Sequence, residues 1–389
     1  MKIGVIGVGR RITDIFQRLD ANLPALQIVA WSDPDPASLD AARKKLGPIA
    51  TNAIDCRSAE EVVRLADIEW IFIGSWNCFH AAQTILSFQA QKNVFCEKPL
   101  ALSLEEGAAM HRAWKESGKI FSLGLVLRYS PLYRLAKQFL EANRIGRLLS
   151  FEFNETLPFN HGGYIHGNWR RFSRNAGSHL LEKCCHDIDL ALWLAASRPK
   201  RVASFGGLTF FTPENRWHTE RIGSSPEGHT AYRSWHSDLD CDPFKGDQDI
   251  VDHQVGILEF ESGVRATFHT HCQAAIPERR FYFIGTEGTM RLDAYTGRLE
   301  FARVGWNEPV QTFQPTAGDG HAGSDDSLAK ELAECMQGSK KPAVGFSEGL
   351  SSLAVVQSMD EALHTGAVVD LSKRWKTVDD ILQQKHQLR

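Results

Sequence analysis

The chain has 389 residues, of which 43% are hydrophobic and 23% are charged, and its formal net charge is −3. This length and composition predict a globular protein of two or three domains, each with enough apolar chain to form a core. The slightly acidic balance argues against a basic surface for nucleic acid or anionic lipid, so neither is an expected partner.

The N-terminus and the cysteines bear on cellular location. The chain begins MKIGVIGVG, which is not a secretory leader, and no stretch has the roughly 18 uncharged apolar residues of a membrane helix. The eight cysteines are scattered through apolar segments. This pattern is typical of reduced, buried thiols, so we expect a cytoplasmic protein.

The first predicted element is a buried strand that ends in a glycine turn. Residues 2–9 form a continuous apolar run, which is typical of a strand covered on both faces. Gly7 and Gly9 begin the pattern Gly-x-Gly-x-x-Gly, in which backbone N–H groups at a helix N-terminus bind a pyrophosphate. The third position is Ile12, and its side chain is expected to hinder close packing of helix and strand.

A second strand, LQIVAWSD, follows a helix predicted over residues 11–19 and ends at Asp33. An acid at this position can accept hydrogen bonds from the adenosine ribose hydroxyls and would repel a 2′-phosphate. The alternative is that Asp33 caps the turn that follows it. The strand–turn–helix context favours ribose contact, and with it NAD over NADP.

Helices and strands continue to alternate up to residue 129. In chain order they are a helix at 58–66, a strand at 68–76, a helix at 78–91, a strand at 93–99, a helix at 103–118 and a strand at 119–129. This order predicts a doubly wound parallel sheet, whose ligands lie beyond the carboxyl ends of the strands. That edge collects Gly7, Gly9, Asp33, Ser75, Asn77, Glu97, Lys98, Arg128 and Tyr129.

The strand at 93–99 has an unusual end, because its apolar residues are followed by Glu97, Lys98 and Pro99. Burying unpaired charges is costly, and proline cannot donate a ladder hydrogen bond, so the strand must stop there. One interpretation is a solvated strand end. The other is that Lys98 serves a ligand at this edge.

Strand patterns dominate from residue 148 onward. They occupy residues 148–155, 200–211, 251–261, 264–272, 279–286, 288–294 and 297–303, with glycine turns between several of them. A helix predicted over residues 180–196 interrupts them. It places Glu182, His186 and Asp189 at i, i+4 and i+7, so the three share one face. That face is either a solvent-facing stripe or a ligand site.

Two segments are predicted as loops. Residues 157–177 precede the helix and could supply Tyr164, His166, Trp169 and Arg170 to a polar ligand. Residues 212–250 place tryptophans among charged groups, which suits carbohydrate stacking or a subunit contact. The arginines between 170 and 174 could bind an anionic substrate group, although surface charge is the favoured interpretation. The charged tail from Lys373 is predicted to be a solvated end.

Five stretches stand in a characteristic order: GVIGVG at 4–9, IGSWNCFHAAQTIL at 73–86, EKP at 97–99, LRYSPLYRLAKQFLEANRIGRL at 127–148 and GSHLLEKCCHDIDLALWL at 177–194. Together they resemble the Gfo/Idh/MocA family of nicotinamide-dependent oxidoreductases, which act mostly on sugars and cyclitols. The resemblance implies a Rossmann domain at residues 1–125. It also implies an α+β substrate domain at 126–389, with a large, mostly antiparallel open sheet that mediates oligomer contacts.

The resemblance further implies hydride transfer between NAD and a hydroxyl-bearing carbon of a sugar, sugar acid or cyclitol. The family usually assigns the proton to the lysine and the histidine that stand here as Lys98 and His186. Histidine suits a general base near neutral pH, whereas a cationic lysine could stabilise an alkoxide. Which of the two takes the proton is open at this point. A homo-oligomer is expected.

The predicted site residues fall into three groups. The catalytic group is Lys98, His186 and Glu182. The cofactor group is Gly7, Gly9, Arg10, Arg11, Asp33, Ser75, Trp76, Asn77, His80, Glu97, Lys98 and Arg128. The substrate group is Lys98, Tyr129, Tyr164, His166, Trp169, Arg170, Glu182, His186 and Asp189.

The chain departs from the family pattern at two positions and leaves alternatives open. Many members have Asp in place of Glu182 and Gly in place of Cys184, which indicates a subgroup with its own substrate. One alternative is a glycosidase that oxidises and reduces its substrate with tightly held NAD and no net redox change. Another is a dinucleotide sensor, which would not need Lys98. A metal bound by His269, His271 and Cys272 is disfavoured, because no paired Cys-x-x-Cys spacing occurs.

Overall fold

The computed structural model describes residues 1–233, 241–317 and 321–383. The chain forms two compact units. The first contains Met1–Tyr129, Ser324–Leu353 and the residues from Arg374 onward, and the second contains Ser130–Gly323 and Ala354–Lys373. Segments 324–353 and 374 onward therefore group with the first unit, although the sequence-based division assigns them to the second domain. The functional domain limits stay a prediction.

Strands and helices alternate through the first 129 residues. The strands are β1 (Lys2–Ile6), β2 (Gln27–Ser32), β3 (Ile54–Asp55), β4 (Trp70–Ile73), β5 (Asn93–Cys96) and β6 (Phe121–Leu123). The helices are α1 (Arg10–Asn22), α2 (Pro36–Leu46), α3 (Ala59–Val63), α4 (His80–Gln89) and α5 (Leu104–Ser117). Short 3-10 helices occupy Gly47–Ile49, Asn77–Phe79 and Val126–Tyr129.

The sheet of the first unit has six strands in the order β3-β2-β1-β4-β5-β6, and every pair is parallel. The predicted doubly wound parallel sheet is confirmed. Its central strands are apolar throughout because both faces are covered. The ring of Phe72 in β4, for example, lies 4.9 Å from that of Phe16 in α1 and 5.3 Å from that of Phe95 in β5. All carboxyl ends meet at one edge.

The remaining elements follow in chain order. The strands are β7 (Leu148–Pro158), β8 (Pro199–Gly207), β9 (His253–Phe260), β10 (Arg265–Ala274), β11 (Arg280–Gly285), β12 (Gly288–Asp293), β13 (Arg298–Arg303), β14 (Gln311–Phe313) and β15 (Val369–Asp370). The helices are α6 (Pro131–Glu141), α7 (Phe159–His166), α8 (Ser173–Ala176), α9 (His179–Ala195), α10 (Trp217–Ile222), α11 (Ser324–Met336), α12 (Phe346–Thr365) and α13 (Ser372–Gln383). Short 3-10 helices lie at Trp169–Arg171 and Pro213–Asn215.

The second unit is built on a nine-stranded sheet in the order β14-β13-β12-β11-β7-β10-β9-β8-β15. Only the described pair β7 and β10 runs parallel, so the predicted mostly antiparallel sheet is confirmed. Side chains alternate between a face buried against α6 and α9 and an outward face. The buried face is aromatic, with Phe153 4.7 Å from Phe268 and 5.2 Å from Phe281 between ring centres.

Several sequence predictions need correction. Residues 157–177 are largely helical, because α7, a 3-10 helix and α8 fill the segment. The tail from Lys373 is not simply solvated, since α13 buries Trp375, Val378 and Ile381. The strand predicted at 119–129 is limited to β6 and is followed by a 3-10 helix. Helix α2 was not anticipated. Part of the insertion predicted at 212–250, residues 234–240, lies outside the described residues.

All eight cysteines lie within the described residues as free thiols, and five of them are buried. Every helix in the described part of the chain is too short or too polar to span a bilayer. The burial of most thiols agrees with the scattered placement of cysteines in apolar segments.

Candidate active site

The glycine turn between β1 and α1 forms the first part of the sheet edge. Gly7 has a φ of +82°, and a Cβ there would lie 2.3 Å from the backbone nitrogen of Ser75, so only glycine fits. A Cβ on Gly9, which precedes α1, would meet no heavy atom of the described residues within 4 Å. The first turn of α1 begins with Arg10 and contains no acid. This open helix N-terminus therefore fits the pyrophosphate of a dinucleotide.

Ile12 stands where the glycine motif would have its third glycine, and it is 1% exposed. It faces Gly74 at the end of β4. A Cβ on Gly74 would lie 2.9 Å from the Cβ of Ile12 and 3.0 Å from the carbonyl oxygen of Gly7. The absent side chain at Gly74 therefore makes room for the added one at Ile12. Close packing of helix and strand is kept, and the hindrance expected from the sequence does not arise.

Asp33 follows β2, and backbone N–H groups hold its carboxylate. Val8 of the glycine turn donates to Oδ2 at 2.7 Å, and Asp35 donates to Oδ1 at 2.9 Å. Burial raises the pKa of Asp33, although both hydrogen bonds oppose the rise. Asp35 is the N-cap of α2 and accepts from the N–H of Ala37, whereas Asp33 also holds the turn before that helix. Asp33 is thus fixed beside the glycine turn.

His80 begins α4 and is fully buried. Its Nδ1 lies 2.8 Å from the carbonyl oxygen of Pro99, and its Nε2 lies 3.2 Å from that of Ser75. The ring therefore ties the residues that follow β4 to those that follow β5. Burial lowers the pKa of His80, although the two carbonyl contacts oppose the shift. The position of His80 therefore suits a structural role at the sheet edge. Of the other predicted residues that follow β4, Trp76 is partly exposed and Asn77 is buried.

The motif at residues 97–99 directly follows β5, as predicted from the proline. Glu97 is buried. Its Oε1 accepts from Nε of Arg11 at 3.2 Å, and its Oε2 accepts from the N–H of Lys98 at 3.2 Å. Lys98 is partly exposed, and its peptide bond to Pro99 is cis. The acid of this motif is thus held in place, whereas the lysine side chain has access to solvent.

Three other predicted residues of the first unit have described surroundings. Ser75 donates its hydroxyl to Oε1 of Gln83 at 2.6 Å. Arg128 lies 3.9 Å from Glu348, and Tyr129 is buried in the same 3-10 helix. The structure thus brings Ser75 to the sheet edge and sets Tyr129 into the interior.

Helix α9 carries Glu182, His186 and Asp189 on one face, as their spacing predicts. Ser178 begins the helix, and its hydroxyl accepts from the N–H of Leu181 at 3.1 Å. All three side chains are buried, so the alternative of a solvent-facing stripe is wrong. Buried polar groups need polar partners, and this face therefore meets polar surroundings.

Arg170 links the segment before α9 to this face. Its Nε donates to Oε1 of Glu182 at 3.0 Å, and its Nη1 donates to Oδ1 of Asn168 at 3.1 Å. Its guanidinium lies over the rings of Trp169 at 4.2 Å and Tyr164 at 4.8 Å. The predicted residues 164, 169, 170 and 182 therefore form one cluster, in which Arg170 holds the Glu182 carboxylate.

His166 has different surroundings from the other residues of this segment. It is fully buried, its ring is stacked on that of Phe211 at 4.4 Å, and neither ring nitrogen has a hydrogen-bond partner among the described residues. Burial lowers the pKa of His166 to about 3, so the ring is neutral. It lies against the apolar cluster that includes Phe211, Tyr232 and Phe244. Tyr164 of the Arg170 cluster packs against the same apolar cluster.

A buried ionic network behind α9 was not found from the sequence. Nε and Nη2 of Arg279 donate to the two carboxylate oxygens of Asp187 at 2.8 and 2.7 Å, and Arg279 also forms an ion pair with Glu155 of β7. Lys183 lies 3.1 Å from the same glutamate. Lys183 and Asp187 stand at i and i+4 in α9, a spacing that marks a charged face but does not indicate Glu155 or Arg279 as the partners. The network fixes α9 on the sheet through a second face of the helix.

The candidate metal ligands do not converge. His269 and His271 lie on the outward face of β10, whereas Cys272 is on the buried face. Cys184 contacts the hydroxyl of Thr270 on that buried side. Among the residues that the structure describes, no group of three or more His, Cys, Asp or Glu side chains is arranged to hold a metal ion.

Two family models match the chain. One, described as an oxidoreductase family with an NAD-binding Rossmann fold, covers residues 1–125, and the other, described as the C-terminal alpha/beta domain of that oxidoreductase family, covers residues 137–371. The chain belongs to the Gfo/Idh/MocA oxidoreductase family. The resemblance drawn from five sequence stretches is confirmed, and the Rossmann match supports a nicotinamide cofactor.

Named oxidoreductases are similar to this Gfo/Idh/MocA member over most of its length. Inositol 2-dehydrogenase 3 of Saccharopolyspora erythraea is 24% identical over 397 residues, which is 96% of each protein. The 1,5-anhydro-D-fructose reductase of Ensifer adhaerens is 25% identical over 324 residues, 81% of this chain and 83% of that one. A solved levoglucosan dehydrogenase, in complex with NADH and levoglucosan, has a TM-score of 0.77 at 19% identity, covering 96% and 99% of the two chains. This structural likeness shows the shared fold.

Arg279→Met tests the network that fixes α9 in this Gfo/Idh/MocA member. We expect it to lower the free energy of unfolding by about 3–5 kcal/mol, because Asp187 and Glu155 would stay buried without their cation. Urea unfolding followed by circular dichroism measures the change. The matched control is Arg280→Met, since Arg280 is 32% exposed and pairs with Glu152, and its expected cost is below about 1 kcal/mol. Equal losses in the two variants would contradict the special role of Arg279.

Proposed function

We propose that the protein is an NAD-dependent dehydrogenase that oxidises a hydroxyl-bearing carbon of an uncharged sugar or cyclitol. The observation that carries this proposal is the edge of the parallel sheet. There the open glycine turn, the fixed carboxylate of Asp33 and the Glu97–Lys98 pair follow three strands of one sheet. Relatives named as inositol 2-dehydrogenase and levoglucosan dehydrogenase support the substrate class.

The cofactor proposal concerns how this chain would hold NAD. The N–H groups of the glycine turn and the open N-terminus of α1 would bind the pyrophosphate, and Asp33 would accept hydrogen bonds from the adenosine ribose. The charge of Asp33 opposes a 2′-phosphate, which favours NAD over NADP. When bound, the nicotinamide supplies the acceptor or donor for the hydride of the substrate carbon.

The substrate hydroxyl must lose a proton as the hydride leaves, and we assign this proton to Lys98 and His186. A histidine can act as a general base near neutral pH, and a cationic lysine can stabilise the developing alkoxide. Glu182 has a different proposed role. Because Arg170 holds its carboxylate, Glu182 would orient a substrate hydroxyl or His186 and would not itself take the proton.

The proposed reaction predicts NADH formation. Purified protein mixed with NAD and a panel of cyclitols, aldoses and anhydrosugars should raise the absorbance of reduced nicotinamide. Lys98→Ala and His186→Ala should lower kcat by about 100-fold or more, since each removes a proton-handling group. Asp33→Ala should raise the use of NADP relative to NAD.

Lys44→Ala is the control for this experiment, because Lys44 is an exposed lysine on α2. It should leave kcat unchanged. NAD binding without NADH formation on any member of the panel would contradict the dehydrogenase. Release of an aglycone from glycosides in that case would support the NAD-recycling glycosidase.

The substrate is proposed to be uncharged because each arginine that precedes α9 already contacts a carboxylate or an aromatic ring. Arg170 pairs with Glu182, and Arg171 pairs with Asp247 at 2.9 Å. The guanidinium of Arg174 lies over the ring of Phe172 at 4.2 Å. The anionic substrate group considered from the sequence would have to compete with Glu182 for Arg170. A neutral hydroxyl can instead donate to Glu182 or accept from Arg170 without breaking their ion pair.

Glu182→Gln should therefore change the preference for substrate charge. The ratio of kcat/KM for D-glucuronate to that for myo-inositol or D-glucose should rise about tenfold, because Arg170 would lose its carboxylate and could bind that of the substrate. The ratio is the readout, since Glu182 also lies near the catalytic groups. Asp247→Asn is the matched control, because it removes the equivalent partner of Arg171. An unchanged ratio in Glu182→Gln would contradict the proposal.

The outward face of the nine-stranded sheet is proposed as a contact between copies of the chain. Phe205, Val255 and Ile257 are 62%, 43% and 58% exposed there. With His269 they line a hollow of about 430 Å³. Adjoining exposed apolar side chains favour association, so we propose a homo-oligomer, a dimer or tetramer.

The eight free thiols favour a reducing compartment, and a cytoplasmic location stays a prediction.

Ile257→Asp should shift the protein toward the monomer, because it places a charge within that apolar face. Size-exclusion chromatography with light scattering gives the mass. The control is Ile54→Asp in β3, since Ile54 is similarly exposed, at 53%, but belongs to the first unit. A monomeric wild type, or one mass for both variants, would contradict the proposed contact.

A further inference from the structure

Helix α11 begins with two acids that none of the sequence motifs includes. Both contact α1 of the same unit. Oδ1 of Asp325 lies 2.8 Å from Nη2 of Arg11, and Oδ1 of Asp326 lies 2.9 Å from Nε of Arg18. The two ion pairs differ in burial, because the side chain of Asp325 is 18% exposed and that of Asp326 is 82% exposed. Only the first pair lies toward the sheet edge.

Arg11 lies between two carboxylates. Its Nη2 faces Asp325, and its Nε donates to Oε1 of Glu97 at 3.2 Å. Burial would lower the pKa of Arg11, but the charges of Glu97 and Asp325 outweigh it and raise the pKa above the usual range. The guanidinium is therefore a permanent cation that bridges α11 and the residue after β5. Arg11 lies in the first turn of α1, and its role in cofactor binding stays a prediction.

Glu97 is fixed by this bridge on one side and by the backbone on the other. Its Oε2 accepts from the N–H of Lys98 at 3.2 Å. A Cβ on Gly124 would lie 3.0 Å from the same oxygen, so a larger residue at position 124 would press on the carboxylate. The position of Glu97 thus determines one hydrogen bond of the Lys98 backbone.

We propose that Asp325 is a positioning residue for Lys98. It holds Arg11 toward Glu97, and Arg11 fixes the carboxylate that accepts the Lys98 N–H. The inference rests on the proposed function in so far as Lys98 acts on the substrate. The geometric part of the inference does not depend on turnover, so it can be tested apart from catalysis.

Asp325→Asn and Asp326→Asn form a matched pair for the test. In Asp325→Asn we expect kcat to fall about tenfold, because small displacements of a catalytic group are costly, while the Kd for NAD changes less than about threefold. Hydrogen–deuterium exchange should rise in peptides that contain Lys98 and stay constant in peptides from β1. Asp325→Glu should restore part of the loss. Asp326→Asn should match the wild type in every reading.

Several outcomes would overturn the inference. Asp325→Asn that matches Asp326→Asn in exchange and in kcat contradicts it, and so does a uniform rise of exchange throughout the unit, which indicates a merely structural role. If no substrate is turned over, the proposed function fails, whereas exchange at Lys98 still decides the positioning role. Should Asp325→Asn not fold, Arg11→Lys gives the same test, and unchanged exchange at Lys98 contradicts the inference.

Discussion

The buried cation of Arg279 is the constraint on which the second unit depends. Its side chain is 1% exposed and meets two carboxylates, one from α9 and one from β7. Removing charges from water is favourable only when such partners are well aligned. The bidentate contact with Asp187 meets that condition and fixes the rotation of α9 about its axis. The face that carries Glu182 and His186 then has only one orientation.

The first unit uses a related arrangement at its sheet edge. There Arg11 forms ion pairs with both Glu97 and Asp325. Asp325 belongs to α11, which lies more than 200 residues after Glu97 in the chain. His80 adds a further link between the residues after β4 and those after β5. In both units, therefore, polar contacts hold the candidate catalytic residues, and apolar packing holds the sheets beneath them. The positions of the candidate catalytic residues therefore depend on polar contacts, whereas the stability of the core depends on apolar packing.

The fold and much of the candidate site were accessible from the sequence because they depend on local patterns. Apolar runs and turns predicted the parallel sheet and the strands of the second unit, and the i, i+4, i+7 spacing predicted the face of α9. The family resemblance supplied the mostly antiparallel arrangement of the second sheet. Contacts between distant residues leave no such pattern. Nothing near Ile12 indicates that Gly74 compensates for it, and nothing near Arg279 indicates that it pairs with Asp187. The apolar side of α13 was likewise hidden by its charged composition, which concealed the buried Trp375.

Glu182 shows how one such contact changes the interpretation of a motif. Comparison with the family pattern indicates only that many members have the shorter aspartate at this position. The structure adds that the longer side chain meets a guanidinium stacked on Trp169 and Tyr164. The ring faces stabilise the cation, and the carboxylate neutralises it. The arginine of this cluster that meets Glu182 is thus already paired with a carboxylate, which is the basis for proposing an uncharged substrate.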